Sequence, residues 1–178
     1  FFVVGGNDGV SRLSTTEILS LDTMAFTPGP DMATRREGCA AVALDEYRIM
    51  MVGGDSGSNY LMTTEVLDVR TMAFASGPSM GSARSYCAAV QVDAEHVLII
   101  GGYDSSSTAL ATTKLLDVAT MEFEPGPTMP TPRSTITVVR LDAAEAGPRI
   151  LVLGGGKSTT EVLAVDAQRG LRATRPPR

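Results

Sequence analysis

Histidine, cysteine and tryptophan are scarce in this chain, and their scarcity excludes several kinds of active site. The 178 residues include one histidine, His96, two cysteines and no tryptophan. A copper or zinc centre needs several His or Cys ligands, and a Ser-His-Asp set would need His96 near the centre of the fold. The pattern places His96 in a peripheral hairpin. We therefore expect no catalytic residue, no metal site and no cofactor, and we predict that the chain is not an enzyme.

Basic residues and long apolar runs are also few. The chain has 15 Lys and Arg against 20 Asp and Glu, so its formal net charge is −5. Sequence-independent binding of nucleic acid depends on neutralising phosphates with basic side chains, so we expect no nucleic-acid partner. No apolar run has the length of a membrane-spanning helix, and we expect no membrane association. The two thiols weakly favour a reducing, cytoplasmic location.

Three phrases recur along the chain at a nearly constant period. A diglycine follows an apolar run and starts at residues 5, 53, 101 and 154, and each is followed by a Thr-Thr segment. In three copies a Phe and a Gly-Pro pair come next. A period of about 50 residues is typical of a repeat array. Each repeat contains four strand-like segments and no sustained helical period, which predicts one four-stranded antiparallel sheet per repeat.

The order of these motifs resembles that of kelch repeats. The diglycine after an apolar strand, the Glu-x-Leu-Asp strand, the aromatic residue, the Pro-x-Met turn and the Arg after it all follow the kelch order. The chain departs from that pattern with Phe26, Phe74 and Phe123 where kelch blades usually carry Trp. The resemblance implies an all-β fold, a β-propeller of four-stranded antiparallel blades. It also implies a non-catalytic protein–protein interaction module that binds a protein or peptide.

The repeat begins at its second strand and stops short of a fourth complete blade. We therefore expect about 14 or 15 strands in an open arc of about three and a half blades. The arc would be either a segment of a longer propeller or completed by a partner. The propeller segment would cover 1–167, and residues 168–178 would form a basic, Pro-containing tail. Because Pro cannot donate a ladder hydrogen bond, the tail would add a poor outer strand at most. Unpaired ends of the arc would favour self-association. Within the segment we expect a blade part at 1–34, blades at 35–82 and 83–131, and a blade part at 132–167.

The diglycine loops and the turns that lead into the inner strands are expected on one face of the fold. These loops vary most between copies, and repeat proteins often concentrate variation on a binding face, although unconstrained loops vary as well. Tyr offers contact area at low entropic cost, and Asp and Asn offer polar contacts. The candidate partner-binding residues on these loops are Tyr60, Tyr103, Asn7, Asp8, Asp55, Asn59 and Asp104.

An arginine recurs at one repeat position, directly before each inner strand. As a ring around the mouth of a channel, Arg36, Arg84 and Arg133 could bind an anion or a glycan, and this is the alternative function. The competing interpretation is structural. An acid also recurs at one position of the Thr-Thr strands, and Arg–Glu or Arg–carbonyl contacts would hold neighbouring blades together.

The third copy breaks the acidic pattern. Lys114 stands where the other copies have Glu17, Glu65 and Glu161. From this break we expect Arg133 to lack that acidic partner or to use another, and to be the arginine most available to a ligand.

The two cysteines share one repeat position. Cys39 and Cys87 correspond to Ile136 in the next copy. A position that accepts both Cys and Ile is typical of a small apolar core site, and we favour this interpretation over a disulfide or a metal pair.

Overall fold

The structure is a computed structural model, which describes residues 1–143, 147–156, 160–166 and 170–174. Within these ranges the chain is all β, with 15 strands. None of the described residues belongs to a helix with the length and apolarity needed to cross a membrane. In chain order the strands are β1 Phe2–Val4, β2 Thr16–Ser20, β3 Ala25–Pro28, β4 Ala40–Ala43, β5 Arg48–Val52, β6 Thr64–Asp68, β7 Ala73–Ser76, β8 Ala88–Gln91, β9 His96–Ile100, β10 Thr113–Asp117, β11 Glu122–Pro125, β12 Ile136–Ala143, β13 Gly147–Gly154, β14 Glu161–Asp166 and β15 Gly170–Thr174.

The strands form four separate sheets in which sequence neighbours pair antiparallel. The first sheet contains β1–β3, the second β4–β7, the third β8–β11 and the fourth β12–β15. Each sheet follows the chain without a crossover, because short turns join consecutive strands. The prediction of one antiparallel sheet per repeat is confirmed, with three sheets of four strands and a first sheet of three.

The apolar core is divided into three clusters, one for each pair of consecutive sheets. Met50 and Val52 of the second sheet pack with Val97 and Ile99 of the third. A similar cluster joins the third sheet to the fourth, and a smaller one joins the first to the second around Met51. Strand β8 contacts both β4 and β12, so the first strands of the last three sheets lie side by side. The apolar runs of β5 and β9, before the second and third diglycines, are buried because both of their faces meet a neighbouring sheet.

The Thr-Thr and Gly-Pro motifs depend on each other. In the second sheet the Thr64 hydroxyl donates to the carbonyl of Pro78 at 2.7 Å. A Cβ on Gly77 would collide with that hydroxyl. The first and third sheets repeat both features at the corresponding residues. The glycine before each proline is therefore required because the threonine side chain fills the space of a Cβ.

The C-terminal tail contributes the outer strand that its sequence left open. Strand β15, Gly170–Thr174, pairs with β14 and completes the fourth sheet. The sheet thus extends past the expected limit at residue 167 and into the expected tail. The described strand runs to Thr174. The prolines themselves lie outside the described residues.

The hairpin between β12 and β13 is longer than its counterparts in the second and third sheets. Strands β12 and β13 have eight residues each, and their pairing continues out to Ala143 and Gly147. The extra residues of this repeat therefore lengthen a strand ladder, and residues 144–146 at its tip lie outside the described residues.

Candidate functional site

Each repeated arginine connects two consecutive sheets through their diglycines. The carbonyl of Arg36 accepts a hydrogen bond from Gly6 N of the first sheet at 2.8 Å. Its guanidinium Nη1 donates to the carbonyl of Gly53 in the second sheet at 2.7 Å. Arg84 makes the same two bonds with Gly54 and Gly101, and Arg133 makes them with Gly102 and Gly154.

The burial of these arginines argues against the anion-ring hypothesis. Arg36 and Arg133 are 0% exposed and Arg84 is 1% exposed. Their Nη1 groups bond the protein's own carbonyl oxygens, so the three heads do not line an open channel mouth. The expectation that Arg133 is the most available of the three is wrong, since it is as deeply buried as Arg36. The structural interpretation fits this geometry.

Arg36 also has the acidic partner that the repeat pattern suggests. Its Nε and Nη2 donate to Glu65 Oε1 at 3.1 and 3.0 Å. The same carboxylate accepts the backbone amides of Ala33 and Thr34 at 2.7 and 3.1 Å. Glu65 is 4% exposed, so its charge is buried in a pocket of four donors. We call these four donors the carboxylate nest of the second sheet.

The arginine that faces the Lys114 position is Arg84, not Arg133. Arg36 precedes the second sheet and pairs with Glu65 of that sheet. Arg84 precedes the third sheet, where Lys114 stands at the position that corresponds to Glu65. Arg84 Nε is buried without a hydrogen-bond partner, and burial lowers the pKa of Arg84. The sequence-based assignment was wrong because it paired each arginine with the acid of the preceding repeat.

The loops that follow two diglycines form a polar cleft with the turn that leads into β8. Its volume is about 690 Å³. We call it the loop cleft. It is lined by Asp55, Gly57, Ser58, Asn59, Tyr60, Met62, Gly81, Ser82, Ala83, Asp104, Ser105 and Ser107. The lining includes two carboxylates and no basic side chain, so its local charge is negative.

Four of the predicted partner-binding residues line this cleft, namely Asp55, Asn59, Tyr60 and Asp104. The Tyr60 hydroxyl accepts a hydrogen bond from Ser107 Oγ at 3.3 Å and so connects the two loops. Asp104 accepts the amides of Ser106 and Thr108, both at 2.9 Å. These bonds hold the loop backbone in place without a bound partner.

The other three predicted residues lie outside the cleft lining. Tyr103 packs edge-to-face against Tyr86, with ring centroids 6.4 Å apart. Asp8 accepts the amides of Ser11 and Val10, and these bonds lower its pKa. Asn7 donates to Glu37 Oε2 at 3.1 Å. The side chains of all three residues make contacts within the protein.

A charged network joins the loops of the first and second sheets. Arg12 lies 2.9 Å from Glu37 Oε2 and 2.8 Å from Asp55 Oδ2, and the Tyr86 hydroxyl donates to Glu37 Oε1 at 2.9 Å. Hydrogen bonds from Asn7 and Tyr86 lower the pKa of Glu37. The bond to Glu37 raises the pKa of Tyr86. Asp55 is 9% exposed, so this network stabilises one wall of the loop cleft.

Neither cysteine has the environment of a reactive thiol. Cys87 is 8% exposed, belongs to the core between the second and third sheets, and burial raises its pKa to about 12. Burial also raises the pKa of Cys39, and both thiols are free. The core-site interpretation is confirmed for Cys87, whereas Cys39 is half-buried. Among the described residues, no group of His, Cys, Asp and Glu has the arrangement of a metal site.

Sequence reasoning missed Arg12, Glu37, Tyr86 and Ser82. Glu37 follows a repeated arginine, and the later copies have Ser85 and Ser134 at that position. This difference between copies was the available signal.

Comparison with known proteins gave no further assignment, since neither a protein-family model nor a curated protein matches this chain.

Proposed function

We propose that the four sheets are blades of a kelch-type β-propeller segment arranged as an open arc. Three features support this: the four-stranded meanders, the separate apolar core between each pair of sheets and the contacts of β8 with β4 and β12. The repeated diglycine–arginine contacts would fix the angle between consecutive blades. The first sheet, with three strands, would be one end of the arc.

The function we propose is a non-catalytic protein–protein interaction module. The observation that carries it is the loop cleft, in which the loops of two repeats and one turn bring Tyr60, Asn59, Asp55 and Asp104 together. Concave sites with a few convergent polar groups and an aromatic side chain are typical binding sites. The loops vary between repeats while the sheets are kept, as expected of a repeat scaffold that presents a binding face.

The chemistry of the cleft favours a cationic peptide segment as partner. Asp104 lies among serine hydroxyls in the lining, whereas Asp55 is already paired with Arg12 at 2.8 Å. The whole chain has a net charge of −5. Lys or Arg side chains would pair with Asp104, whose loop is already ordered. Negative potential would also steer a basic partner toward this face.

Selection from a random peptide library against the intact chain tests this proposal. We expect enrichment of peptides with Lys or Arg, and loss of their binding in the variants Tyr60→Ala and Asn59→Ala. Glu46→Ala is a matched control, because Glu46 is an exposed residue of a hairpin outside the cleft lining. Affinity should fall as salt rises, since exposed charges are screened.

Two outcomes would contradict the proposal. One is selected peptides that bind Tyr60→Ala and Asn59→Ala as tightly as the original chain. The other is the absence of any enriched peptide although the protein is folded.

The alternative function, an anionic or glycan site built on the three arginines, is not favoured, because their guanidinium groups are buried and bonded to diglycine carbonyls.

A further inference from the structure

The third sheet contains a buried arginine whose usual acidic partner is replaced by a lysine. Arg84 is 1% exposed. Its Nη1 donates to the carbonyls of Gly101 and Thr112 at 2.8 and 2.9 Å, and its Nη2 donates to Thr112 Oγ1 at 2.9 Å. Its Nε has no partner. A buried, charged donor without an acceptor is costly, so a ligand that supplies an acceptor would be stabilised there.

The second sheet shows what such an acceptor is. Arg36 donates to Gly53 O, Thr63 O and Thr63 Oγ1 at 2.7, 3.0 and 3.1 Å. These are the repeat counterparts of the three acceptors of Arg84, so the two guanidinium groups are held in the same way. In Arg36 the remaining Nε–H points at the Glu65 carboxylate. Because the two guanidinium groups are held alike, the Arg84 Nε–H points at the place in the third sheet that corresponds to the Glu65 carboxylate.

Strand register identifies the side chain that occupies that place. Thr64 and Thr113 make the same bond to a proline carbonyl, so the next residues, Glu65 and Lys114, are counterparts. Lys114 is half-buried. The third sheet therefore has a lysine at the strand position where the second sheet has a carboxylate.

A second unpartnered group lies on the same short segment. Ser82 Oγ is buried without a hydrogen-bond partner, two residues before Arg84. Ser82 also lines the loop cleft, which places it near solvent. The local backbone differs from that of the second sheet, because Gly81 has a φ of 70° and donates its amide to Ser79 Oγ at 3.2 Å. Three groups thus remain for a ligand: Arg84 Nε, Ser82 Oγ and Lys114 Nζ.

We propose that Arg84, Ser82 and Lys114 form a binding site for a carboxylate group supplied from outside the chain. The bound carboxylate would stand in for the one that Glu65 supplies in the second sheet, with charge-assisted hydrogen bonds from the arginine and the lysine. This inference does not depend on the proposed peptide-binding role of the loop cleft, since it rests on one sheet and the segment that leads into it.

Nuclear magnetic resonance of the arginine Nε–H groups tests the site directly. Sodium acetate is titrated into the intact chain, with sodium chloride at equal ionic strength as the reference. We expect the Arg84 Nε–H signal to shift saturably with acetate. Arg36 is the internal control, and its Nε–H signal should stay unchanged because Glu65 already bonds it. An unresponsive Arg84 signal in the folded protein, or an equal response to chloride, would overturn the proposal.

Substitution of Lys114 gives an independent test. Lys114→Glu restores the side chain of the second sheet, so it should abolish the response to acetate and raise the melting temperature. Lys114→Gln is the matched control, because it removes the ammonium group without supplying a carboxylate. It should keep the response but weaken the affinity about tenfold. An acetate response that persists unchanged in Lys114→Glu would contradict the assignment.

A third experiment distinguishes a carboxylate of a partner protein from a small free acid. A short blocked peptide with one Glu is compared with acetate and with the same peptide carrying Gln. If the Glu peptide shifts the Arg84 signal as acetate does, the carboxylate can come from a partner protein. If acetate alone does so, the site takes a small free acid. Either pattern supports the site, and a response to the Gln peptide equal to that of the Glu peptide argues against it.

Discussion

At the scale of single residues, the diglycine motif is required by a close approach of two backbones. Gly53 has a φ of 63°, and a Cβ on it would collide with the carbonyl oxygen of Arg84. The next amide, Gly54 N, bonds that same oxygen at 2.8 Å. The first glycine thus leaves room for the contact and the second makes it, which explains why both positions are glycine in the first three repeats.

Replacing Gly53 with alanine tests this explanation. We expect Gly53→Ala to reduce the free energy of unfolding by about 3–5 kcal/mol, since it adds a backbone collision to the cost of a positive φ. Gly57→Ala is the matched control: Gly57 also has a positive φ, 92°, but no backbone atom lies near its Cβ position. It should cost about 1–2 kcal/mol. Denaturant unfolding measures both values, and equal losses would refute the collision argument.

The Glu65 carboxylate gives a second prediction at this scale. Glu65→Ala leaves Arg36 buried without its acidic partner and removes the acceptor of two backbone amides. Removing one member of a buried ion pair costs about 3–5 kcal/mol. Glu17→Ala is the control, since Glu17 has the same repeat position but is exposed, and it should change stability by less than about 0.5 kcal/mol. Similar unfolding curves for the two variants would contradict this assignment.

At the scale of the elements, the sheets are regular while the connections carry the differences. Strands β5, β6, β9 and β10 each have five residues, and the core residues of one sheet recur in the next. The connections use local carboxylates to order their backbone. In the hairpin before β5, for example, Asp45 accepts the amides of Tyr47 and Arg48. Such turns need no contact with another sheet, so they tolerate substitution.

The network around Glu37 links the loops of different sheets and predicts a pH dependence. The pKa of Glu37 is lowered from its usual 4.5 by hydrogen bonds from Asn7 and Tyr86. A carboxyl with a lowered pKa in the folded state stabilises the fold above its unfolded pKa. That stability is lost as the pH falls through the folded value. We therefore expect the melting temperature to fall more steeply below pH 4.5 in the original chain than in Glu37→Gln.

The control for this pH series is Glu46→Gln, which removes an exposed carboxyl of a hairpin. Its melting temperature should follow that of the original chain across the same pH range. If Glu37→Gln also follows the original chain, the network does not stabilise the fold through the Glu37 charge.

At the scale of the whole molecule, the first sheet has an uncovered side. The exposed large apolar side chains are concentrated there, with Phe1, Val3 and Phe26 exposed by 74%, 48% and 55%. Phe2 and Val4, the neighbours of Val3 in β1, pack instead toward the second sheet. An apolar sheet face beside an edge strand favours association with another chain.

This exposure predicts concentration-dependent self-association. Light scattering coupled to size-exclusion chromatography should show a rising apparent mass with concentration, and Val3→Lys should weaken the effect by placing a charge on the edge strand. Val10→Lys is the matched control, because Val10 is 90% exposed but lies outside the strands. A chain that stays monomeric at all concentrations, or equal effects of the two variants, would contradict the prediction.

The periodic sequence alone determined the all-β class, the antiparallel four-stranded repeat and the strand count, because the alternation of side chains and the turn residues act locally. It also indicated that the repeated arginines hold consecutive sheets together. The sequence left the outer strand of the tail open, because β15 has little apolar pattern of its own and is specified by its pairing with β14.

Only the tertiary structure decided which arginine has which partner. Glu17 precedes Arg36 and Glu65 follows it, and sequence order alone does not say which of the two acids the arginine reaches. Only the structure shows that Arg36 reaches Glu65, which places the Lys114 position opposite Arg84. The loop cleft was also beyond the sequence, since its walls come from segments 20 to 50 residues apart whose approach is set by sheet packing. Local patterns specify the repeat unit, whereas packing between units specifies which groups are buried together and which remain for a ligand.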